Sequence, residues 1–356
     1  MRRSTLALFL LSPLAVLAQT PSSINVYGVV DAGVVAESGC ATNCSTRISS
    51  GIASESRLGL QGREALGDKL AAVFTVEAGF QTDTGMSDEG RLFGRQAYVG
   101  LDSRWGALTL GRQYNLQYET LIDVADPFRG GLAGSATNLA GYTVRRYDNS
   151  VKYATPKLRG WSASAIYSYG ESPYSSKYNR AYGATIGYEN GPFNVRIAHQ
   201  RKRDMLAVYG TVPGADFSAR NTLVAANLNF RSATIYAAYG INRGLGSTPW
   251  DISNPYGALV PPSPSTDSRD VITGISIPMG AATWMVSYIH KDDRTLANQD
   301  ANQVAAGVTY SLSKRTSVYG AIAKIHNRNG AGYTVGNASN GGRGNGAINI
   351  GLRHSF

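Results

Sequence analysis

Long apolar segments are almost missing from this 356-residue sequence. Only residues 6–17 form a mostly apolar run, and the mean hydropathy of the chain is slightly negative at -0.18. A membrane-spanning helix needs about 20 apolar residues, so no segment after residue 17 qualifies. A chain of this composition can cross a membrane only as a closed β-barrel.

Histidine is scarce as well, with four residues, and no hydrolase motif of Ser or Asp accompanies them. The sequence also contains no phosphate loop, no metal-ligand spacing and no nucleic-acid module. We therefore expect no cofactor, no bound metal, no nucleic-acid partner and no enzymatic activity. The formal net charge of +10 instead suggests anionic partners or permeants.

The first residues resemble an export signal. Arg2 and Arg3 precede the apolar run, and Val16-Leu17-Ala18 forms a small-residue cleavage site before Gln19. We expect a cleaved leader over residues 1–18 and one domain over residues 19–356. A retained anchor is the alternative, but the apolar run is short for a bilayer span.

The two cysteines, Cys40 and Cys44, follow this leader and lie in a segment rich in Gly, Ser, Thr and Asn. Export to an oxidising compartment favours a local disulfide between them, and two free thiols are the alternative. A metal site is not expected, because no histidine lies nearby.

Strict alternation of apolar and polar residues is the dominant pattern. In the last ten residues, Ile348, Ile350, Leu352 and Phe356 share one parity and polar residues share the other. Such a strand has one lipid-compatible face, and at the end of a chain it can close a barrel. Because a soluble secreted β-protein needs a dry core, and few continuous apolar segments could form one, a soluble adhesin is the weaker alternative.

Segments of about ten residues alternate with tight turns and longer polar loops, which is typical of a transmembrane barrel. We predict an all-β fold, a 16-stranded antiparallel barrel. The predicted strands are 24–36, 54–65, 69–82, 91–102, 107–113, 145–155, 161–170, 181–189, 193–202, 221–230, 233–241, 269–278, 281–290, 301–312, 317–326 and 347–356. Two long connections, residues 114–144 and 242–268, are predicted to be functional or irregular loops.

Basic residues recur on the polar parity of these strands. An arginine on the lipid face costs about 2–4 kcal/mol at mid-bilayer, so Arg57, Arg95, Arg146 and Lys152 are expected to face the lumen. Arg112 shares its parity with Leu108 and Leu110 and needs a β-bulge to turn inward.

The chain resembles the general porins of Gram-negative bacteria, of the neisserial and beta-proteobacterial type. The matching stretches are VYGVVDAG at 26–33, SRLGLQGREALG at 56–67, FGRQAYVGL at 93–101, LTLGRQY at 108–114, RYDNSVKYATP at 146–156, LSKRTSVYG at 312–320 and GLRHSF at 351–356. This resemblance implies a homotrimer of barrels in the outer membrane, surrounded by lipid and lipopolysaccharide, with the third outer loop folded into each lumen.

The resemblance also implies a constriction with a basic wall made of Arg57, Arg95, Arg112 and Arg146, to which the strand parity adds Lys152. DPFRGG at 126–131 resembles the family's loop motif, with Asp123 and Asp126 as its acidic side and Glu119 as a weaker candidate. The predicted function is passive diffusion of small hydrophilic solutes with a preference for anions. A solute-specific porin of the same fold is the closest alternative, and an outer-membrane enzyme or adhesin is a more distant one.

Overall fold

The computed structural model of the chain describes residues 22–40, 43–171, 178–203, 218–249, 265–336 and 342–356. The expected leader, residues 1–18, lies outside these ranges, as does much of the proline-rich part of residues 242–268. No helix among the described residues is long and apolar enough to span a bilayer.

Antiparallel strands make up nearly all the regular structure of the described residues. The strands are β1 Ser23–Cys40, β2 Thr46–Ser50, β3 Arg57–Gly67, β4 Leu70–Gly79, β5 Gln96–Ser103, β6 Gly106–Tyr114, β7 Arg146–Ala154, β8 Trp161–Ser168, β9 Ala181–Asn190, β10 Phe193–Lys202, β11 Ala219–Asn229, β12 Thr234–Gly244, β13 Asp267–Met279, β14 Ala282–Asp293, β15 Ala301–Ser311, β16 Thr316–Asn327 and β17 Gly344–Ser355.

The barrel has sixteen positions for these strands, because β2 and β3 share one. β2 pairs with residues 32–36 of β1, and β3 pairs with residues 23–29 of the same strand. Each of the other strands pairs with its neighbours along the chain. The prediction of sixteen antiparallel strands is confirmed, although the second one is broken at residues 51–56.

A single buried carboxylate shapes this break. Asp31 on β1 is fully buried and accepts hydrogen bonds from the backbone N–H groups of Ile52, Ala53 and Ser54, at 3.0–3.1 Å. The hydroxyl of Tyr319 donates a further hydrogen bond to Asp31 at 2.6 Å. Asp31 thus replaces the ladder hydrogen bonds that the break removes.

The barrel closes between its first and last strands. β17 pairs with β1 from Val29↔Ser355 to Cys40↔Gly344, and the terminal Phe356 exchanges two backbone hydrogen bonds with Gly28, both of 3.1 Å. No edge is therefore left unpaired at this seam, as a bilayer requires.

Side chains alternate between the two faces of the sheet. On β17, Ile348, Ile350 and Leu352 are about half exposed on the outside, whereas Asn349 between them is buried inside. Tyr319 on β16 faces inward, where it is buried and bonded to Asp31.

Short turns join the strands at one end of the barrel and longer loops at the other. We name two of the loops L2, residues 80–95, and L3, residues 115–145. L3 contains the only α-helix among the described residues, α1 Leu116–Thr120, followed by a π-helical turn Leu121–Ala125 and a 3₁₀ turn Ala136–Asn138. Short turns on the periplasmic side and long outer loops are the rule for such barrels, which orients the chain.

Candidate functional site: the barrel lumen

L3 lies against inward-facing side chains of the far half of the barrel. The amide of Asn227 on β11 donates to the carbonyl of Val124 at 3.1 Å, and Asn138 donates to Gln303 on β15 at 2.9 Å. Asp270 on β13 accepts from the N–H of Gly141 at 2.6 Å. L3 therefore follows the interior of the wall formed by β11 to β17.

Apolar packing reinforces these hydrogen bonds. Leu121, Val124 and Phe128 of L3 belong to the same buried cluster as Leu223, Ile272, Ile289 and Ile325, which come from the strands. Burial of each such large side chain contributes about 1.5–3 kcal/mol. This half of the lumen is consequently packed like a protein core and not lined by water.

Asp126 organises the tip of L3. Its carboxylate is fully buried and accepts backbone hydrogen bonds from Phe128, Gly130 and Ala136, each of 2.9 Å. Burial raises the pKa of Asp126 to about 6, and the three N–H groups oppose that rise. The predicted place of Asp126 on the acidic lumen face does not fit this position, because its carboxylate is occupied inside the loop.

The tip also contacts the break between β2 and β3. The N–H of Leu132 donates to the carbonyl of Ile52 at 2.6 Å. Gly131 lies so close that a Cβ atom there would collide with the backbone of Ala53, which explains a glycine at this position. The turns held by Asp31 and Asp126 are thus joined to one another.

The opposite half of the lumen carries a network of ion pairs with Glu55 at its centre. Glu55, just before β3, pairs with Arg95 and Arg145, and with Nη2 of Arg146 at 2.9 Å. Glu77 on β4 pairs with Nε of Arg95 at 2.7 Å and with Arg57 at 3.5 Å. Together these contacts connect four arginines from β3, β7 and the ends of L2 and L3.

L2 extends the network outward through Glu89. This carboxylate pairs with Arg146 and with Nη2 of Arg112. Nη1 of Arg112 lies 2.7 Å from the carboxylate of Asp148. Arg91 of L2 also reaches Asp148, at 3.2 Å. We call this connected set the charge network: Arg57, Arg91, Arg95, Arg112, Arg145 and Arg146 with Glu55, Glu77, Glu89 and Asp148.

Arg112 lies at the margin of this network. The β6–β7 pairing shifts register between Gly111 and Gln113, so an irregularity exists where one was needed to turn Arg112 inward. Arg112 donates to the carbonyl of Gly94 and to the carboxylates of Glu89 and Asp148, and none of these three partners is Glu55. Arg112 is therefore linked to L2 more directly than to the centre of the network.

Lys152 belongs to a separate pair. Its ammonium lies 2.8 Å and 2.9 Å from the two carboxylate oxygens of Glu119 on α1. Burial raises the pKa of Glu119, and the charge of Lys152 opposes that rise. Further along L3, Asp123 is exposed and its carboxylate lies 3.4 Å from the guanidinium of Arg129, which is also exposed.

Within the charge network, two arginines lie nearer to water than the central acids Glu55 and Glu77. Side chains of Arg57 and Arg145 are 24% and 25% exposed, whereas Glu55 and Glu77 are 7% and 4% exposed. Arg95 and Arg146, both predicted for the basic wall, are nearly buried. Of the predicted basic wall, Arg57 therefore faces water, whereas Arg95 and Arg146 form a buried layer behind it.

Tyr114 supports that buried layer and was not singled out from the sequence. Its hydroxyl accepts hydrogen bonds from Nη2 of Arg95 at 2.6 Å and of Arg146 at 2.7 Å. The guanidinium of Arg146 also lies 4.5 Å from the centre of the Tyr114 ring. Glu55 and Glu77 were missed as well, although Glu77 shares the inward parity of Thr75.

Three carboxylates, Glu55, Asp88 and Glu89, have oxygens within 4.8 Å of one another. Arg145 and Arg146 already pair with two of them, so guanidinium groups neutralise this cluster. Burial and the neighbouring charge of Glu89 raise the pKa of Asp88. Nothing in this arrangement calls for a metal ion.

Cys40 and Cys44 form a disulfide with their Cα atoms 5.4 Å apart. It lies at the outer end of β1, where Cys40 pairs with Gly344 of β17. The bond therefore constrains the first outer loop beside the seam of the barrel.

Known proteins resemble this chain over its full length. A family model described as Gram-negative porin matches residues 4–330. An outer membrane porin protein of Bordetella pertussis is 30% identical over 400 aligned residues, which include all of both chains.

Solved structures share the fold. The anion-selective porin from Comamonas acidovorans has a TM-score of 0.75 and 24% identity, over 94% of this chain and 100% of that one. The trimer form of OmpT from Vibrio cholerae has a TM-score of 0.67 and 18% identity, over 95% and 100% of the two chains. The chain belongs to the Gram-negative porin family and is a porin of the outer membrane.

Proposed function

We propose that this porin works as a homotrimer of passive channels that favour small hydrophilic anions. The observation that carries the proposal is the layering at the centre of the charge network, around Glu55 and Glu77. Arg57 and Arg145 lie in front, and Glu55 and Glu77 are buried behind them. An anion that passes this centre meets the two guanidinium groups before the buried carboxylates, and such groups raise the local concentration of anions.

The balance of charge supports the same preference. The charge network contains six arginines and four carboxylates, as the connected ion pairs define it. Asp88 adds one further carboxylate beside it, and Arg353, which bonds to Ser54 at 2.9 Å, adds one further arginine. The arginines therefore remain in excess.

L3 is the proposed constriction, with Asp123 and Glu119 as its acidic side. Asp123 is exposed, and Glu119 is 29% exposed beside Lys152. Asp126 holds the loop in shape and acts only indirectly. A loop that fills one half of the lumen leaves the passage beside the charge network.

The proposal includes no catalytic step. His199 bonds to Thr222, His290 to Asn302 and His354 to Thr316, each over 2.8 Å, and within the described ranges none has a carboxylate partner at hydrogen-bond distance. Such pairs do not activate a nucleophile. The trimeric state is supported by the trimer form of OmpT and requires its own test.

The experiment is a reversal potential under a KCl gradient, with the purified protein in a planar bilayer. The wild-type protein should favour chloride, and Arg57→Glu should lower the ratio of chloride to potassium permeability about three- to tenfold, since it changes the charge beside the passage by two units. Arg231→Glu, on a periplasmic turn, is the matched control.

A cation-favouring wild-type potential would overturn the anion preference. Conductance steps that occur in threes support the trimer, whereas independent single steps would contradict it. An unchanged potential in Arg57→Glu would remove this arginine from the passage.

A further inference from the structure

The tip of L3 carries one exposed basic side chain, Arg129. Phe128, just before it, belongs to the buried apolar cluster, and a Cβ atom on Gly274 of β13 would collide with the ring of Pro127. Arg129 turns away from this packing, and its side chain is 73% exposed. Because L3 lies inside the barrel, an exposed side chain at its tip reaches the water of the lumen.

The backbone of Arg129 has an uncommon conformation. Its φ is 52°, in the left-handed region that favours glycine, and its N–H donates to the carbonyl of Asp126 at 3.1 Å. Arg159, at a periplasmic turn, has the same φ of 52°, so the conformation alone does not mark a site. Glycine can replace either arginine while the backbone keeps its shape.

Two arginines of the wall lie beside the break in the second strand. Nη1 of Arg57 donates to the carbonyl of Glu55 at 3.1 Å, and Nε of Arg353 on β17 donates to Ser54 at 2.9 Å. Arg353 shares the inward parity of the buried Asn349. The two arginines lie on the strands that flank β1, with their backbones about 12 Å apart.

The tip of L3 contacts the same break. Gly131 lies directly against the backbone of Ala53, and Arg129 is only two residues before it. Arginines from L3, β3 and β17 therefore border the same part of the passage. We call these three residues the loop–wall arginines: Arg129, Arg57 and Arg353.

The loop–wall arginines keep N–H donors that an anion can use. Within the described ranges Arg353 forms no ion pair, and its hydrogen bond to Ser54 occupies Nε alone. Arg129 has Asp123 as a partner, but the N–O distance is 3.4 Å and both side chains are exposed. Exposed pairs of this kind contribute little to stability, so an anion in the lumen can compete with Asp123 for the guanidinium of Arg129.

We propose that the loop–wall arginines form a weak binding site for a tetrahedral dianion of the phosphate class. A phosphate group presents oxygens in several directions, so guanidinium groups from L3 and from the wall can donate to it together, whereas a planar carboxylate offers only two oxygens. Weak binding lets the solute leave again, as conduction requires. The inference rests on the proposed function, since it names the class of anion that the passage takes.

The test is the block of chloride current by inorganic phosphate, with the purified protein in a planar bilayer at about pH 8, where phosphate is mostly divalent. Chloride and ionic strength are held constant with gluconate. Phosphate should lower the wild-type current in a saturable way. Arg129→Gly should raise the half-blocking concentration about fivefold or more, since one charge-assisted contact is lost. Arg159→Gly, with the same φ at a periplasmic turn, is the matched control and should respond like the wild type.

A second variant examines the wall side of the site. Arg353→Gln removes the charge beside Ser54 and should also raise the half-blocking concentration of phosphate. Heat-modifiable gel migration verifies that each variant is folded.

Two further probes define the ligand. Acetate, a planar monoanion, should not block the current at the same concentration. Glycerol 3-phosphate separates two sources of the phosphate group: block by this ester extends the site to phosphate monoesters, and block by inorganic phosphate alone limits the site to the free ion.

The proposal is overturned if phosphate gives no saturable block, if acetate blocks equally well, or if Arg129→Gly and Arg159→Gly have the same half-blocking concentration. The reversal potential of the wild-type protein in KCl reports separately on the proposed function. Chloride preference without a saturable phosphate block contradicts this inference alone, whereas a cation-favouring wild type contradicts the proposed function.

Discussion

The two halves of the lumen are built by different physical means. Strands β11 to β17 present Leu223, Ile272, Ile289 and Ile325, and L3 covers them with its own apolar residues. Strands β3 to β7 and the adjoining loop ends instead present arginines and carboxylates in one ion-paired network. A loop with an apolar face packs where the wall is apolar, so water remains beside the charged half.

The comparison also explains why buried carboxylates recur. Asp31 and Asp126 each bind three backbone N–H groups, one at the break of the second strand and one at the tip of L3. Glu55 has a different role, because its carboxylate forms ion pairs with three guanidinium groups. Of these three acids only Asp126 was predicted for the acidic side of the constriction, and its carboxylate is bound within L3.

Removal of the carboxylate at Asp126 should have the largest effect. Asp126→Ala leaves three buried N–H groups without an acceptor, at about 1–3 kcal/mol each, so the tip of L3 should loosen. Hydrogen exchange of residues 120–136 should rise, and so should the single-channel conductance. Asp123→Ala, on the exposed side of the same loop, is the control; equal effects of both variants would contradict the assigned role of Asp126.

A change at Glu55 should be the next largest. Glu55→Ala leaves Arg95, Arg145 and Arg146 without their shared partner and should destabilise the barrel by about 3–5 kcal/mol. Thermal unfolding in detergent measures this loss. Glu189→Ala, whose partner Lys157 lies near a periplasmic turn, should change stability by less than about 1 kcal/mol. A midpoint in Glu55→Ala that matches the wild type would show that the network is not structural.

Acid should strengthen anion preference by a smaller amount. The raised pKa of Glu119 means that this group becomes neutral at a higher pH than an ordinary glutamate, which leaves the charge of Lys152 uncompensated. The folded state binds this proton more tightly than the unfolded chain, so protonation of Glu119 does not destabilise the barrel. Reversal potentials taken below neutral pH should shift toward chloride, and Glu119→Gln should reduce that shift; an identical profile in the variant would exclude Glu119.

The disulfide should matter least, because it spans a short loop at the outer end of β1. Cys40→Ser with Cys44→Ser should lower the unfolding free energy by about 1–2 kcal/mol and leave ion preference unchanged. Unfolding of wild type and variant under non-reducing conditions provides the comparison. A changed reversal potential would mean that the first outer loop reaches the passage.

Alternation along the strands was sufficient to predict most of the barrel. β10 matches its predicted range of residues 193–202, and neighbouring strands differ by a few residues at their ends. The period of two is strong there because one face meets lipid. β2 was missed, because residues 46–50 are mostly polar and the break that follows them is bound by Asp31, which is distant in sequence.

The site was less predictable than the barrel. Parity identified Arg57, which reaches water, but it could not reveal that Arg95 and Arg146 are buried behind carboxylates. Those carboxylates come from other strands and loops, and a pattern within one strand contains no information about them. The same limit applies to Asp126, since its three hydrogen bonds are formed only when L3 folds back on itself.

Thiol accessibility tests the difference between the two halves most directly. Arg57→Cys and Ile272→Cys would each be made in the background of Cys40→Ser with Cys44→Ser. Each variant would be treated with an anionic, membrane-impermeant thiol reagent while its conductance is recorded. The account predicts rapid modification and a falling current at position 57, and slow or no modification at position 272, because L3 covers it. Equally fast modification at both positions would contradict the packing of L3 against β11 to β17.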